Sequence, residues 1–404
     1  MKKNKILNPK LGVCREYPPV LKEVTVPFSR AISTHHGDSN IPGITPYGFV
    51  SEGTPLPPLE KILNTAHVIS VGMRVTFRGV TTRHSTLIRG PYGWGEFAPF
   101  PEYDDAEAAH WLSSALEAAY LPPTVTVREQ VPVNATLPAV PAHRVPDVLN
   151  NYNGDIQELK IKVAERGQTL DDDIARVAAA RTALPNARLK IDANAGWTLP
   201  QAFTALTALS DYNLLYAEQP VGSINDMKQL RTQLDNAQVP VLIAADELVR
   251  KADDPLTVAR ANAADLIVVK AAPLGGVRRA SAIIAQSGLP AVISSALETS
   301  VGIATGVHLA ASLPELPYGC GLGTVSLLNT DVSSTPLVAE NGRIPVRPAA
   351  PEEARLKALA ADHATRTWWL ERIKRCWRLL HRGYVPAEAR HRPENMGDQG
   401  PPPP

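Results

Sequence analysis

Between about residue 131 and residue 325 the chain alternates short apolar runs with longer amphipathic stretches. ELKIKV, RLKIDANAG, NLLYAEQP, VLIAADE, DLIVVKAAP and PAVISSA each read as a short strand with a charged or hydroxyl residue at or just past its end. Their richness in Val, Ile, Leu and Ala predicts a parallel sheet buried on both faces. Segments between them, such as DDDIARVAAARTAL, set apolar residues at helical spacing behind an acidic first turn. Upstream, HVISVGMRVTFRGVTTRHSTLIRGPYGWGEF carries Val, Thr and Phe runs punctuated by Gly and Pro, which predicts strands joined by hairpin turns. DDAEAAHWLSSALEAAY then predicts a helix. A small α+β domain therefore precedes the alternating one.

The strand-end residues Lys162, Asp192, Glu218, Asp246 and Lys270 stand 30, 26, 28 and 24 residues apart. A (β/α)8 barrel of ~250 residues uses about 31 per unit, which favours a barrel, although a doubly wound sheet is compatible with the same spacing. The expected fold class is α/β: a modified (β/α)8 TIM-like barrel with an N-terminal α+β capping domain. The expected domains are an extension over 1–55, the capping domain over 56–130, the barrel over 131–325, a segment over 326–383 returning to the capping domain, and a tail over 384–404. The extension and the tail are polar and proline-rich without a sustained period, which predicts disorder.

Composition narrows the function classes. A formal charge of +1 over 404 residues gives no sign of a polyanion partner, so no nucleic acid is expected. Cys14, Cys320 and Cys376 form no CxxC pair and no disulfide framework, which suits a reducing cytoplasm. The start MKKNKILNPK is basic like a signal peptide, but Pro9, Lys10 and Arg15 interrupt any apolar stretch. No later run reaches the ~18 apolar residues of a membrane helix. RTWWLERIKRCWRLLHRG puts Trp369, Ile373, Cys376, Trp377 and Leu380 on one helical face. Such a face can lie on a membrane, but more often it packs on its own domain, so no membrane association is expected. The sequence sets no oligomeric state; a monomer is compatible with it.

In a barrel the C-terminal ends of successive strands converge on one mouth, where active sites sit. Asp192, Glu218 and Asp246 would meet there, with Lys162 and Lys270 on either side in chain order. Any one of them alone reads as a strand-end charge or a cap; the five at near-regular spacing point to chemistry. Three carboxylates within a few ångströms repel one another unless a cation lies between them, and hard oxygen ligands suit Mg²⁺, with Mn²⁺ as its substitute. The absence of His and Cys from these positions argues against zinc or copper. A lysine of ordinary pKa, about 10.4, is a poor base, but Lys162 beside Lys160 and a divalent cation is expected to favour its neutral form and accept a proton. The cation would hold a substrate carboxylate and stabilise the enediolate formed as the adjacent carbon loses its proton. The implied chemistry is proton abstraction α to the carboxylate of a small molecule. Asn194 and Glu247 read equally as caps or as supports for the ligands.

These residues carry a resemblance. KxK at 160–162, DAN at 192–194, AEQP at 217–220, ADE at 245–247 and Lys270 before APLGG resemble the muconate-lactonizing branch of the enolase superfamily. The resemblance implies Asp192, Glu218 and Asp246 as metal ligands and Lys162 and Lys270 as paired catalytic lysines. Over about Leu56 to Leu380, GWGEFAPFPEYDD, KADDPLTVARANAADLIVVKAAPLGG, VISSALETSVGIATG and PYGCGLGT are similar to the o-succinylbenzoate synthase family of actinobacterial type. That similarity implies a carbon–oxygen lyase that dehydrates 2-succinyl-6-hydroxy-2,4-cyclohexadiene-1-carboxylate in menaquinone synthesis. Lys162 would remove the proton and then protonate the departing hydroxyl, while Lys270 stays charged and faces the ring. Ser294 and Ser295 would hydrogen-bond substrate carboxylate oxygens, and the loop Gly79 to Arg83 would lie over the substrate, with Arg83 as a further carboxylate contact. The alternative on the same scaffold is an N-succinylamino acid racemase or a dipeptide epimerase, which uses both lysines, one per face of the α-carbon.

Overall fold

The computed structural model describes residues 5–7, 14–16, 56–77, 79–250 and 254–382. The expected extension over 1–55 and tail over 384–404 lie outside these residues, apart from the antiparallel pair Lys5–Leu7 and Cys14–Glu16.

Strands Ala66–Phe77, Val80–Gly90 and Gly93–Phe97 form an antiparallel meander, and helix Asp105–Tyr120 lies against it. Asp104 caps this helix by accepting the Glu107 backbone N–H at 2.7 Å, a contact worth about 1 kcal/mol. A Cβ at Gly95 would collide with the Ala115 carbonyl, and one at Gly90 with that of Ala119. Glycine at both positions lets helix and sheet approach backbone to backbone. Ile88, Phe97, Trp111, Leu112 and Leu116 belong to the core of this layer.

Seven strands then follow: Ala135–Leu137, Glu158–Lys162, Arg188–Asp192, Leu214–Glu218, Leu242–Ala245, Leu266–Val269 and Ala291–Ile293. They pair in chain order, all in parallel. Unbroken chain order excludes the doubly wound sheet, whose order reverses at a switch point. The place of an eighth strand is taken by residues around Cys320. Asn134 N–H donates to the Cys320 carbonyl at 2.9 Å, Cys320 N–H to Pro132 at 2.8 Å, and Gly321 N–H to Ile293 at 2.8 Å. These bonds join the first strand to the last and close the ring. Lys190 Nζ, donating to the Gly319 carbonyl at 2.6 Å and to Glu158 at 3.0 Å, fastens the closing segment from inside.

The strand period of two divides the barrel core. Tyr216, Ala244, Leu266, Val268, Val292 and Tyr318 form an inner cluster. The intervening Leu189, Ile191, Ile243, Ile267, Val269 and Ile293 join the larger core shared with the helices. Glu158, Lys160 and Lys162, two residues apart, therefore point to one side of their strand, the inside.

A buried carboxylate ties the capping layer to the barrel, and the last helix returns to the capping layer. Glu96, from the last meander strand, accepts the Thr299 N–H at 3.1 Å, the Thr299 hydroxyl at 2.6 Å and the Gly302 N–H at 2.8 Å, capping the barrel helix Ser300–Ser312. At the other end of the chain, helix His363–Arg382 sets Trp369 edge-on to Phe97, ring centroids 5.7 Å apart. Ile373 and Cys376 are buried beside it, so the apolar face of this helix is covered by the protein's own capping layer. Among the described residues no helix is long and apolar enough to cross a membrane.

Candidate active site

The ends of the barrel strands stand level because of their register. Lys162 is paired with Asp192, and Asp192 with Glu218. Asp246, Lys270 and Ser294 each follow directly on the last residue of their strands. One pocket is lined by Lys160, Lys162, Asp192, Asn194, Glu218, Asp246, Lys270, Ser294 and Ser295, with Phe100 of the capping layer above them.

Within it the charges alternate. Lys160 Nζ lies 3.1 Å from Glu218 and 3.2 Å from Asp192. Lys162 Nζ donates to Asp192 at 2.5 Å and to Asn194 Oδ1 at 2.6 Å. Lys270 Nζ donates to Asp246 at 2.5 Å. All three carboxylates are buried. Burial would raise the pKa of Asp192, but Lys162 and Lys160 outweigh it and hold the carboxyl well below the usual range. Asp246 is lowered too, burial being overcome by Lys270 and Arg250. Glu218 goes the other way, pushed up to about 7 by burial and then by the neighbouring Asp192 charge. Burial disfavours the Lys160 ammonium, yet Glu218 and Asp192 hold its pKa above the ordinary lysine value.

The donor set suits a hard divalent cation. It offers three buried carboxylates converging on one pocket without thiol or imidazole, the hard oxygen donors such an ion takes. As they stand, the oxygens are engaged by ammonium groups, and among the described residues no group of three or more His, Cys, Asp or Glu is arranged to hold an ion. Loading would require the lysines to yield some of these contacts.

Arg83 departs from expectation. It lies within strand Val80–Gly90 and is only 3 % exposed. Its Nη2 donates to the Ala98 carbonyl and, at 3.2 Å, to that of Ala296, with the guanidinium 4.3 Å from the Phe100 ring centroid. It braces the capping layer against the barrel and supports Phe100 from behind. Ser295 is also partly committed: its hydroxyl donates to Gly321 O at 2.6 Å and lies 2.9 Å from Thr324 Oγ1. Lys160, expected only as a neighbour, contacts two of the three carboxylates directly. Glu247 sits behind the pocket, taking the Asn194 amide at 3.3 Å.

Two residues escaped sequence reasoning. Gln219, fully buried, accepts the Asp246 and Leu248 N–H groups at 3.0 and 3.2 Å and thereby fixes the turn that presents Asp246. Its φ of 40° lies in the left-handed region, a strain tolerated where neighbours over-determine the backbone. The only signal was a polar residue wedged between a strand-end Glu and a Pro. Arg250, which pairs with Glu247 at 2.9 Å, reads in sequence as an ordinary helix-end charge. A larger cavity of about 460 Å³ lies elsewhere, between Trp94, Leu121, Arg278 and His308. It contains none of the clustered lysines and carboxylates, so size does not mark the chemistry.

Comparison with known proteins agrees with this architecture. The family description "Enolase C-terminal domain-like" matches residues 147–351, and "Enolase N-terminal domain-like" matches 68–119. The o-succinylbenzoate synthase of Mycolicibacterium smegmatis is 51 % identical over 326 residues, 80 % of this chain and 99 % of that one. That of Mycobacterium tuberculosis is 48 % identical, covering 80 % of this chain and 97 % of the other. Among solved structures, muconate lactonizing enzyme from Pseudomonas fluorescens has a TM-score of 0.61 at 21 % identity, covering 73 % of this chain and 98 % of that one. N-succinyl Arg/Lys racemase from Bacillus cereus has a TM-score of 0.62 at 17 % identity, covering 74 % and 97 %. The likeness to these two structures speaks for the fold alone. Nearly full-length identity of about one residue in two decides the rest: the chain belongs to the enolase superfamily and, within it, to the o-succinylbenzoate synthase family.

Proposed function

We propose that the chain dehydrates 2-succinyl-6-hydroxy-2,4-cyclohexadiene-1-carboxylate to o-succinylbenzoate, the step assigned to this family in menaquinone synthesis. The observation that carries the reading is the 51 % identity to a curated synthase over 99 % of its length. The racemase or dipeptide epimerase alternative has only neighbours of 17 and 22 % identity behind it, which support the shared barrel and no particular substrate.

Members of the superfamily generally use a divalent metal. We assign Mg²⁺, with Mn²⁺ as its substitute, to Asp192, Glu218 and Asp246. When bound, it supplies positive charge beside the substrate carboxylate as that group takes up electrons from the α-carbon. Lys162 is paired with Asp192 in the metal-free protein; with that carboxylate given over to the cation it would act as the neutral amine and take the α-proton, the α C–H bond breaking and its electron pair moving into the carboxylate. The pair then returns to the ring as the C–O bond breaks. Lys162 gives its proton to the departing hydroxyl, so one water leaves and the ring becomes aromatic. Lys270, anchored by Asp246, stays an ammonium opposite the ring. Ser294 and Ser295 orient carboxylate oxygens, Ser295 once its hydroxyl proton turns from the Gly321 carbonyl to the substrate. Phe100, lining the pocket, would help exclude water from it. We place the enzyme in the cytoplasm, consistent with Cys320 and Cys376 both free and buried.

The test is an assay of purified protein on the cyclohexadiene with and without Mg²⁺, alongside N-succinyl amino acids in D₂O. Fast metal-dependent dehydration with little α-proton exchange is expected. Lys162→Arg should stop proton abstraction outright, and Lys270→Arg should leave more residual activity. Efficient racemization with negligible dehydration would overturn the reading.

A further inference from the structure

Arg250 closes the helical turn Glu247–Arg250 and stands behind the pocket, touching three of its supports at once. Its Nη2 donates to Glu247 Oε1 at 2.9 Å and its Nη1 to the Tyr103 hydroxyl at 3.2 Å, while Nε lies 3.4 Å from Asp246 Oδ1. The same Asp246 oxygen takes the Lys270 ammonium at 2.5 Å. The same Glu247 oxygen takes the Asn194 amide at 3.3 Å, and Asn194 in turn accepts from Lys162 at 2.6 Å. The guanidinium is thus linked to both lysines through residues that touch them. Its remaining arm reaches Tyr103, which precedes helix Asp105–Tyr120 of the capping layer.

A buried carboxylate with a single cationic neighbour holds that neighbour tightly; with two, the attraction is divided and the geometry is set by both. A guanidinium held on three sides has a fixed orientation that an ammonium cannot copy. We propose that Arg250 is a positioning residue: by sharing Asp246 with Lys270 and Glu247 with Asn194, it sets the resting places of both lysines and ties them, through Tyr103, to the seating of the capping layer. Arg250 does not line the pocket and acts only through these partners. The inference deepens the synthase reading and rests on it.

The test compares Arg250→Met, Arg250→Lys and Tyr103→Phe in the full chain by kcat, KM, melting temperature and calorimetric titration with Mg²⁺ alone. Arg250→Met should lower kcat by about 10- to 100-fold, the usual effect of removing a support behind a site, with KM within about threefold of wild type. Its Mg²⁺ affinity should equal or exceed that of wild type, because a cation competing for Asp246 has gone. Arg250→Lys keeps the charge but loses the fork, and should recover only part of the rate. Tyr103→Phe leaves the charge in place and should lower kcat by a smaller factor at an unchanged melting temperature; it decides the matter if Arg250→Met does not fold. An unchanged kcat in folded Arg250→Met or in Tyr103→Phe would overturn the proposal. So would a parallel fall in kcat, Mg²⁺ affinity and melting temperature, which is the mark of a structural strut. A wild type that fails to dehydrate the cyclohexadiene would overturn both this proposal and the functional reading, and the wild-type rate alone distinguishes that case.

Discussion

Replacing Lys160 by Met isolates the electrostatic share that a bound cation would supply. Lys160 Nζ lies 3.1 Å from Glu218 and 3.2 Å from Asp192, all three groups buried. The ammonium is stabilised there against its own desolvation, as its raised pKa shows. Met fills much of the volume of the lysine stem but leaves the two carboxylates with one cation fewer. Breaking a buried pair by removing one partner costs about 3 to 5 kcal/mol. Against a typical total stability of about 5 to 15 kcal/mol, that is a large fraction. In the metal-free protein, urea unfolding should therefore show a loss of that order. A divalent cation on the same carboxylates would replace the missing charge. Ligand at about 100 times its Kd adds about 2.7 kcal/mol to whichever folded state binds it. The variant, freed of a competing ammonium, should bind Mg²⁺ more tightly than wild type and gain more from it. The gap between the two proteins should thus be wide in chelator and narrow in saturating Mg²⁺. The measurement is a pair of urea titrations under each condition, with calorimetric Kd values beside them. An equal gap under both conditions, or weaker Mg²⁺ binding by the variant, would refute the idea that these carboxylates form the cation site.

The remaining predictions concern titration, ligation and packing. Glu218 has its pKa raised from 4.5 to about 7 by burial and by Asp192. The folded metal-free protein thus keeps a proton that the unfolded chain has released, so stability from this group falls as pH climbs through that window and levels off above it. Urea midpoints in chelator between pH 5 and pH 8 should follow that slope, and Mg²⁺ should flatten it. Asp192→Asn and Asp246→Asn should each abolish turnover and weaken Mg²⁺ binding with circular dichroism unchanged; normal affinity in both would refute the ligand assignment. Gly95→Ala drives a methyl group into the Ala115 backbone and should cost about 1 to 3 kcal/mol. A wild-type melting temperature would contradict the close approach of helix and sheet.

The barrel was legible because both of its signals are local. Apolar runs at a period near that of a βα unit mark the strands, and polar residues at the ends of those runs mark the mouth. Since register makes neighbouring parallel strands end level, spacing along the chain became proximity in the pocket for Lys162, Asp192, Glu218, Asp246 and Lys270. Features requiring contact between distant segments were not legible. Closure through Cys320 depends on bonds to Pro132 and from Asn134, nearly the whole barrel away in sequence, and no periodic pattern announces them. Arg83 was misplaced for the same reason. A strand arginine whose partners are the carbonyls of Ala98 and Ala296 carries no local signal that separates it from a loop residue reaching toward substrate. Gln219 and Arg250 act through backbone N–H groups and second carboxylates, and residue type alone does not reveal such partners.

The edge-on contact of Trp369 with Phe97 has a consequence for how the protein is made. Phe97 leaves the ribosome 272 residues before Trp369, which at about 5 to 20 residues per second is roughly 14 to 54 seconds. During that interval the meander and its helix carry Phe97 on a flank that the final helix has yet to cover. The barrel, with every strand and its closing segment already synthesised, can form while this flank is still bare. The vulnerable species in the cell is then a nascent chain with a completed catalytic mouth and an unfinished apolar edge beside it. Chaperone capture and premature aggregation should both be directed at that edge.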